Sequence, residues 1–198
     1  MNIDEKKAGI RKEIKRRRSL LSPEVLSQID KMLPEFVFAI DDKELQSELK
    51  NAKRIALYRA FGGEVPTDGL AGCFLSRGIK CCFPKVENDR LFFYDCSDLD
   101  KDFEKGSFGI REPKDTNGKV DPKDIDVVVL PAVAYNEEGT RLGMGGGFYD
   151  RFIESCGTDR PYLLGICYEF QICSAVPSAS HDIAADFIAV IPKEVYGE

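Results

Sequence analysis

The sequence predicts an α/β fold, a three-layer sandwich with a largely parallel central sheet and helices on both faces. Three observations predict it. Apolar runs of strand length recur along the chain, at 127–130, 161–168 and 187–191, and they are continuous rather than alternating, as in strands covered on both sides. Stretches with helical periodicity lie between the strands. No internal repeat and no low-complexity linker divides the 198 residues, so the alternation is assigned to one domain over 1–198.

Taken in order, residues 4–20 read as a helix with Ile3, Ile10, Ile14 and Leu21 as a narrow apolar stripe and Asn2 or Asp4 as its cap. Most of its many basic residues read as a solvated face. Lys7 and Arg11 stand out because i and i+4 share a face one turn apart, where two cations can clamp an anion; Lys6 is a rival register. Ser22-Pro23 is an N-cap with Pro at N1, opening a helix to about residue 39 with Val25, Ile29, Met32, Leu33 and Phe36 inward. Residues 41–51 form a further short helix.

Residues 54–60 read as a strand broken by Gly62-Gly63, and 64–68 lead into a helix through Arg77. Strands at 79–86 and 91–94 flank an Asn88-Asp89 turn. The polar stretch 115–123 reads as an exposed loop. Val127 to Leu130 is a buried strand ended by Pro131, 136–139 a turn, and a helix starts at Phe148.

Composition sets outer bounds. Hydrophobic residues make up 43% and charged residues 31%, ordinary for a globular chain. No run nears the ~20 apolar residues that cross a bilayer, and the charged start is not a secretory signal, so no membrane partner is expected. Seven cysteines, none in Cys-x-x-Cys and several in apolar runs, read as reduced thiols of a cytoplasmic protein. The single histidine, His181, excludes a multi-histidine metal site, and it reads as a loop or cap residue. A net charge of −6 argues against a general nucleic-acid binder. No oligomer is implied.

The chemistry concentrates between residues 126 and 154. Gly143, Gly145, Gly146 and Gly147 lie between a strand and a helix start. Glycines let a ligand approach the backbone, and a helix N-terminus offers unpaired N–H groups to phosphate. Arg141 adds a cation, and Asp150 a carboxylate suited to the Mg²⁺ that accompanies a nucleotide. No Gly-Lys-Ser/Thr follows, so this is not a Walker loop, and the spacing is wrong for a dinucleotide fingerprint. By itself the cluster is equally a glycine-rich surface turn.

Pro131, Tyr135, Gly139, Arg141, Leu142, Gly143, Gly145, Gly147, Phe148, Tyr149 and Asp150 stand in the register Pro-x-x-Ala/Gly-Phe/Tyr-x-x-x-Gly-x-Arg-Leu-Gly-x-Gly-x-Gly-Tyr/Phe-Tyr-Asp. In this the chain resembles the 5-formyltetrahydrofolate cyclo-ligase family. Gly146 departs from it, where many members carry Lys. The resemblance implies an ATP-dependent conversion of 5-formyltetrahydrofolate to 5,10-methenyltetrahydrofolate in one-carbon metabolism. It implies an ATP site of Lys7, Arg11, Arg141, Leu142, Gly143, Met144, Gly145, Gly146, Gly147, Phe148 and Tyr149, with Arg141 and Lys7 as catalytic cations. It implies folate contacts at Arg11, Arg59, Glu64, Phe108, Met144, Gly145, Gly147 and Phe148, with 106–113 walling the cleft, and Mg²⁺ held by Asp150 and Asp182. A carboxylate at Glu64 suits a pterin, whose 2-amino group and ring N–H are paired donors. Spare cations on the first helix could attract a polyglutamate tail. Three other readings stay open: ATP-dependent activation of a different small substrate, a non-catalytic folate- or nucleotide-binding protein, and an RNA-associated protein using the basic helix. The presence of Lys7, Arg11, Arg141, Asp150 and Asp182 together favours an enzyme.

Overall fold

The computed structural model describes residues 2–106, 111–174, 176 and 183–197. Helix α1 (Ile3–Arg18) opens with a capping box: the Asn2 side chain accepts from the Glu5 N–H at 2.8 Å, and the Glu5 carboxylate accepts from the Asn2 N–H at 2.9 Å. Its inward stripe differs from the sequence reading. Ile14 is buried and Ile3 exposed, while Arg18, a heptad after Arg11, is buried instead. Helix α2 (Pro23–Phe38) starts on the Ser22 cap and buries Ile29, Leu33 and Val37, with Val25, Met32 and Phe36 half-buried. Helix α3 (Lys43–Asn51) follows.

Strand β1 (Arg54–Ala56) is shorter than 54–60, because the chain leaves the ladder once the Leu57 N–H has bonded the Cys82 carbonyl at 2.9 Å. Helix α4 (Asp68–Ser76) leads to β2 (Lys80–Glu87) and β3 (Arg90–Cys96). Asn88 and Asp89 join the two with φ of 47° and 61°, as a two-residue type I′ turn requires. β4 (Phe103–Lys105) and β5 (Arg111–Pro113) make a small hairpin. The stretch expected as a loop instead contributes β6 (Lys119–Val120), an edge strand on β3, because Val120 is buried there despite its polar neighbours. β7 (Val127–Leu130) is buried at every residue. β8 (Ala134–Tyr135) and β9 (Arg141–Leu142) form a second small hairpin, then α5 (Phe148–Cys156), β10 (Tyr162–Tyr168) and β11 (Phe187–Ile191) complete the chain.

Seven strands form one sheet in the order β11-β10-β7-β1-β2-β3-β6, and the neighbours from β11 to β2 are parallel. The pleat sends alternate residues to opposite faces. Ile55, Cys81, Phe83, Val127, Val129, Leu164 and Ile166 pack with Ile14 of α1 and with α2, α3 and α4 on one side. Ala56, Cys82, Val128, Leu130, Leu163 and Cys167 pack with Phe152 and Ile153 of α5 on the other. The three layers expected from the sequence are present, with α1–α4 on one face and α5 on the second.

From β1 the chain builds outward to β2, β3 and β6, then returns to the opposite side of β1 as β7. The order therefore reverses between β1 and β7. In open α/β sheets the crevice beyond the carboxyl ends of such strands is where ligands bind.

All seven cysteines are free: Cys81, Cys82, Cys96 and Cys167 are buried, Cys73, Cys156 and Cys173 half-buried. Burial pushes the Cys81, Cys96 and Cys167 thiols up to about 12. An aromatic disulfide reagent at pH 8 should label at most the three half-buried thiols in the native protein and all seven after urea. Rapid native labelling of Cys81 or Cys82 would contradict the packing of β2.

Candidate active site

The crevice at the switch point holds a cleft of about 300 Å³. Its wall exists because β1 stops early: β2 runs on past its last bond to β1, so Pro84 and Val86 line the open side. Phe61, Leu91, Met144 and Phe148 add further apolar surface. Tyr58, Arg59 and Glu64 enter from the β1 exit, Pro131 and Ala132 from the β7 exit, and Arg141, Gly143, Gly146, Gly147, Tyr149 and Asp150 from the glycine stretch. Arg111 and Glu112 line it from the predicted 106–113 wall. Phe108, His181 and Asp182 lie outside the described residues.

The glycine stretch is an extended loop between β9 and α5. Gly145 and Gly147 take φ of 107° and 63°, which L side chains resist, and Gly147 is the N-cap of α5. At Gly146 a Cβ would stand 2.6 Å from the Phe148 ring. The ring thus occupies the space that a lysine there would need to start from. Arg11 reaches the loop from α1, donating Nε to the Gly143 carbonyl at 2.9 Å; Lys7 stands one turn earlier, half-buried.

Arg141, read from the sequence as a cation beside the loop, is a buried residue of β9, 5% exposed. Its guanidinium donates to the Ile183 carbonyl at 2.7 Å and pairs with Asp150 Oδ1 at 2.9 Å. That oxygen also accepts from the Ile183 N–H at 3.4 Å, leaving Oδ2 without a protein partner among the described residues. Among those residues no three His, Cys, Asp or Glu side chains come together as a metal cage. One carboxylate beside a glycine loop is compatible with a divalent cation that takes its remaining ligands from a phosphorylated ligand and water.

Other predicted positions divide. Leu142 sends its side chain into the core, so only its main chain faces the loop. Arg59 lines the cleft but is committed to Asp68 at 3.1 Å and lies over the Phe103 ring. Glu64 is largely buried, with Oε2 accepting from the Phe61 N–H at 3.2 Å and Oε1 3.5 Å from an Arg18 guanidinium nitrogen. Burial pushes its carboxyl above the usual range, while Arg18 and the Phe61 N–H oppose the rise. The Tyr149 hydroxyl is buried with no hydrogen-bond partner among the described residues. Burial drives its acidity far down, so it remains a donor. A buried hydroxyl left unpaired costs about 1–3 kcal/mol. Arg18 escaped the sequence reading, although the heptad spacing from Arg11 signals a shared face.

An α/β sheet with an apolar switch-point cleft, one rim of which is a cation-flanked glycine loop, has the form of a small-molecule enzyme site. Residues 3–191 match the model of the 5-formyltetrahydrofolate cyclo-ligase family, and the chain belongs to that family. It is 25% identical over 197 residues to the 5-formyltetrahydrofolate cyclo-ligase of Mus musculus, covering 94% of each chain. It is 29% identical over 184 residues to that of Haemophilus influenzae, covering 90% of this chain and 94% of the relative. The solved structure of Aquifex aeolicus 5,10-methenyltetrahydrofolate synthetase superposes with a TM-score of 0.76 at 29% identity, over 93% of this chain and 89% of that one.

Proposed function

We infer that this chain carries out the reaction its family is named for, the ATP-dependent closure of 5-formyltetrahydrofolate to 5,10-methenyltetrahydrofolate. The observation that carries the reading is the switch-point cleft, which Glu64 and Tyr149 line together with the glycine loop and the Arg141–Asp150 pair. The N5-formyl oxygen attacks the γ-phosphorus, the bond to the β-phosphate oxygen breaks, and ADP leaves. The N10 lone pair then adds to the activated carbon, N10 loses its proton, and the C–O bond breaks to release phosphate. Nucleophile and leaving group both belong to the substrates, so the protein has to position two ligands and offset charge on the transferring phosphoryl group.

Lys7, Arg11, Arg141 and the main-chain amides of 143–147 are assigned to the phosphates. Glu64 is assigned to the paired pterin donors and Tyr149 to a ring or formyl acceptor. Phe148 and Met144 would cover the ring system. Asp150 would hold a divalent cation, expected to be Mg²⁺, which when bound neutralises phosphoryl charge; Asp182 is proposed as its second carboxylate. One sheet draws strands from both halves of the chain, which supports residues 1–198 acting as a single cyclo-ligase domain. Among the described residues no helix is long and apolar enough to cross a membrane, and the free thiols suit the reducing cytoplasm.

The test is direct. Purified protein mixed with ATP, a magnesium salt and 5-formyltetrahydrofolate should produce methenyl absorbance with stoichiometric ADP, and none when ATP is omitted. Absence of the methenyl product, or its formation without ATP, would overturn the reading.

A further inference from the structure

We propose that Arg18 is a positioning residue for substrate recognition, holding the Glu64 carboxylate from beneath the cleft in the orientation that meets the pterin donors. The inference rests on the folate reading above and adds a residue to it. Arg18 is 4% exposed and touches both sides of the crevice. Its guanidinium faces Glu64 Oε1 at 3.5 Å on the β1 side and donates to the Ala132 carbonyl on the β7 side. That carbonyl also accepts from Gln171 Nε2 at 3.1 Å. The loop holding Glu64 is pressed onto this end of α1: a Cβ on Gly63, whose φ is 77°, would stand 2.6 Å from the Arg18 carbonyl oxygen. Glu64 is therefore held twice, one oxygen by its own loop at the Phe61 N–H and the other by Arg18.

Among the described residues the Arg18 Nε is buried without a hydrogen-bond partner, which costs part of what its ion pair contributes. A well-packed apolar side chain often replaces a buried ion pair without loss of stability. What it supplies is a fixed charge aimed at a carboxylate in the ligand cleft. The other titratable groups around Glu64 are Tyr58 beyond β1, Tyr149 on α5 and Tyr168 on β10, whose hydroxyl donates to the Glu64 carbonyl at 3.4 Å. All three phenols are pushed upward by burial and stay neutral near pH 7, so Arg18 is the cation beside Glu64 that opposes the upward push of burial on its carboxyl.

The experiment is a double-mutant cycle in the ring-closure assay, with KM measured separately for 5-formyltetrahydrofolate and ATP in Arg18→Met, Arg18→Lys, Glu64→Gln and Arg18→Met/Glu64→Gln. Arg18→Met should raise the folate KM about tenfold and leave the ATP KM within about twofold, with Arg18→Lys intermediate. In the Glu64→Gln background Arg18→Met should add nothing. The folate kcat/KM of Arg18→Met should also fall off at a higher pH than that of the wild type, as the unpaired carboxyl takes its proton sooner. Equal rises in both KM values, independent effects in the double variant, or an unchanged folate KM in folded protein would each overturn the proposal. If Arg18→Met does not fold, Arg18→Lys carries the same comparison with a smaller rise. An inactive wild type would sink the folate reading and this inference together, whereas an active wild type with an indifferent Arg18→Met sinks the inference alone.

Discussion

Asp150→Asn should lower turnover about 10²–10³-fold at saturating substrates, the loss typical of removing one preorganised charge from a transition-state site. The substitution is close to isosteric. An amide oxygen still accepts from the Ile183 N–H, but the charge facing Arg141 and any bound cation is gone. Arg141 is then buried without a counter-charge, so a stability loss of about 1–3 kcal/mol accompanies the change. Thermal unfolding separates the two effects, since the assay can be run where both proteins are fully folded. The magnesium concentration for half-maximal rate should also rise. Wild-type turnover with unchanged magnesium dependence would remove Asp150 from the phosphate end of the site.

Gly145→Ala should raise the KM for ATP about tenfold or more while moving the folate KM far less. The backbone there has φ of 107°, and holding an alanine in such a region costs about 1–3 kcal/mol. In the free protein the loop would relax to escape the strain, and nucleotide binding would have to restore it. The new Cβ would also lie 3.6 Å from the Arg11 guanidinium, in the space where that cation approaches the loop. Gly72→Ala is the matched control. A Cβ at this exposed α4 position meets nothing within 4 Å, and alanine in a helix is favoured over glycine by about 0.5–1 kcal/mol. It should leave both KM values unchanged. Equal ATP KM values for the two variants would show that the loop conformation does not matter for nucleotide binding.

Features set by neighbouring residues were legible in the chain. The capped start of α1, the Ser22-Pro23 entry to α2, the Asn88-Asp89 hairpin, the buried β7 run and the helix after Gly147 each follow from spacing or a backbone preference acting over a few residues. Features set by partners distant in sequence were not. Lys119 and Val120 look like loop until β3 offers them an edge. Arg141 reads only as a cation beside the loop until β8 folds against it and Asp150 and Ile183 close around its guanidinium. Ile3 fits a stripe by periodicity yet is exposed, while Arg18 breaks the apolar pattern and is buried.

Local chemistry in the chain was thus enough to point to the three-layer α/β class and to a glycine loop between a strand and a helix, and the motif around that loop to the family. The tertiary structure alone decided that β1 stops early and opens a cleft, that Arg59 is spent on Asp68, and that Arg18 stands under Glu64. The reason is range: propensity, capping and turn preferences act within a few residues, whereas burial and charge pairing depend on what the fold brings within a few ångströms.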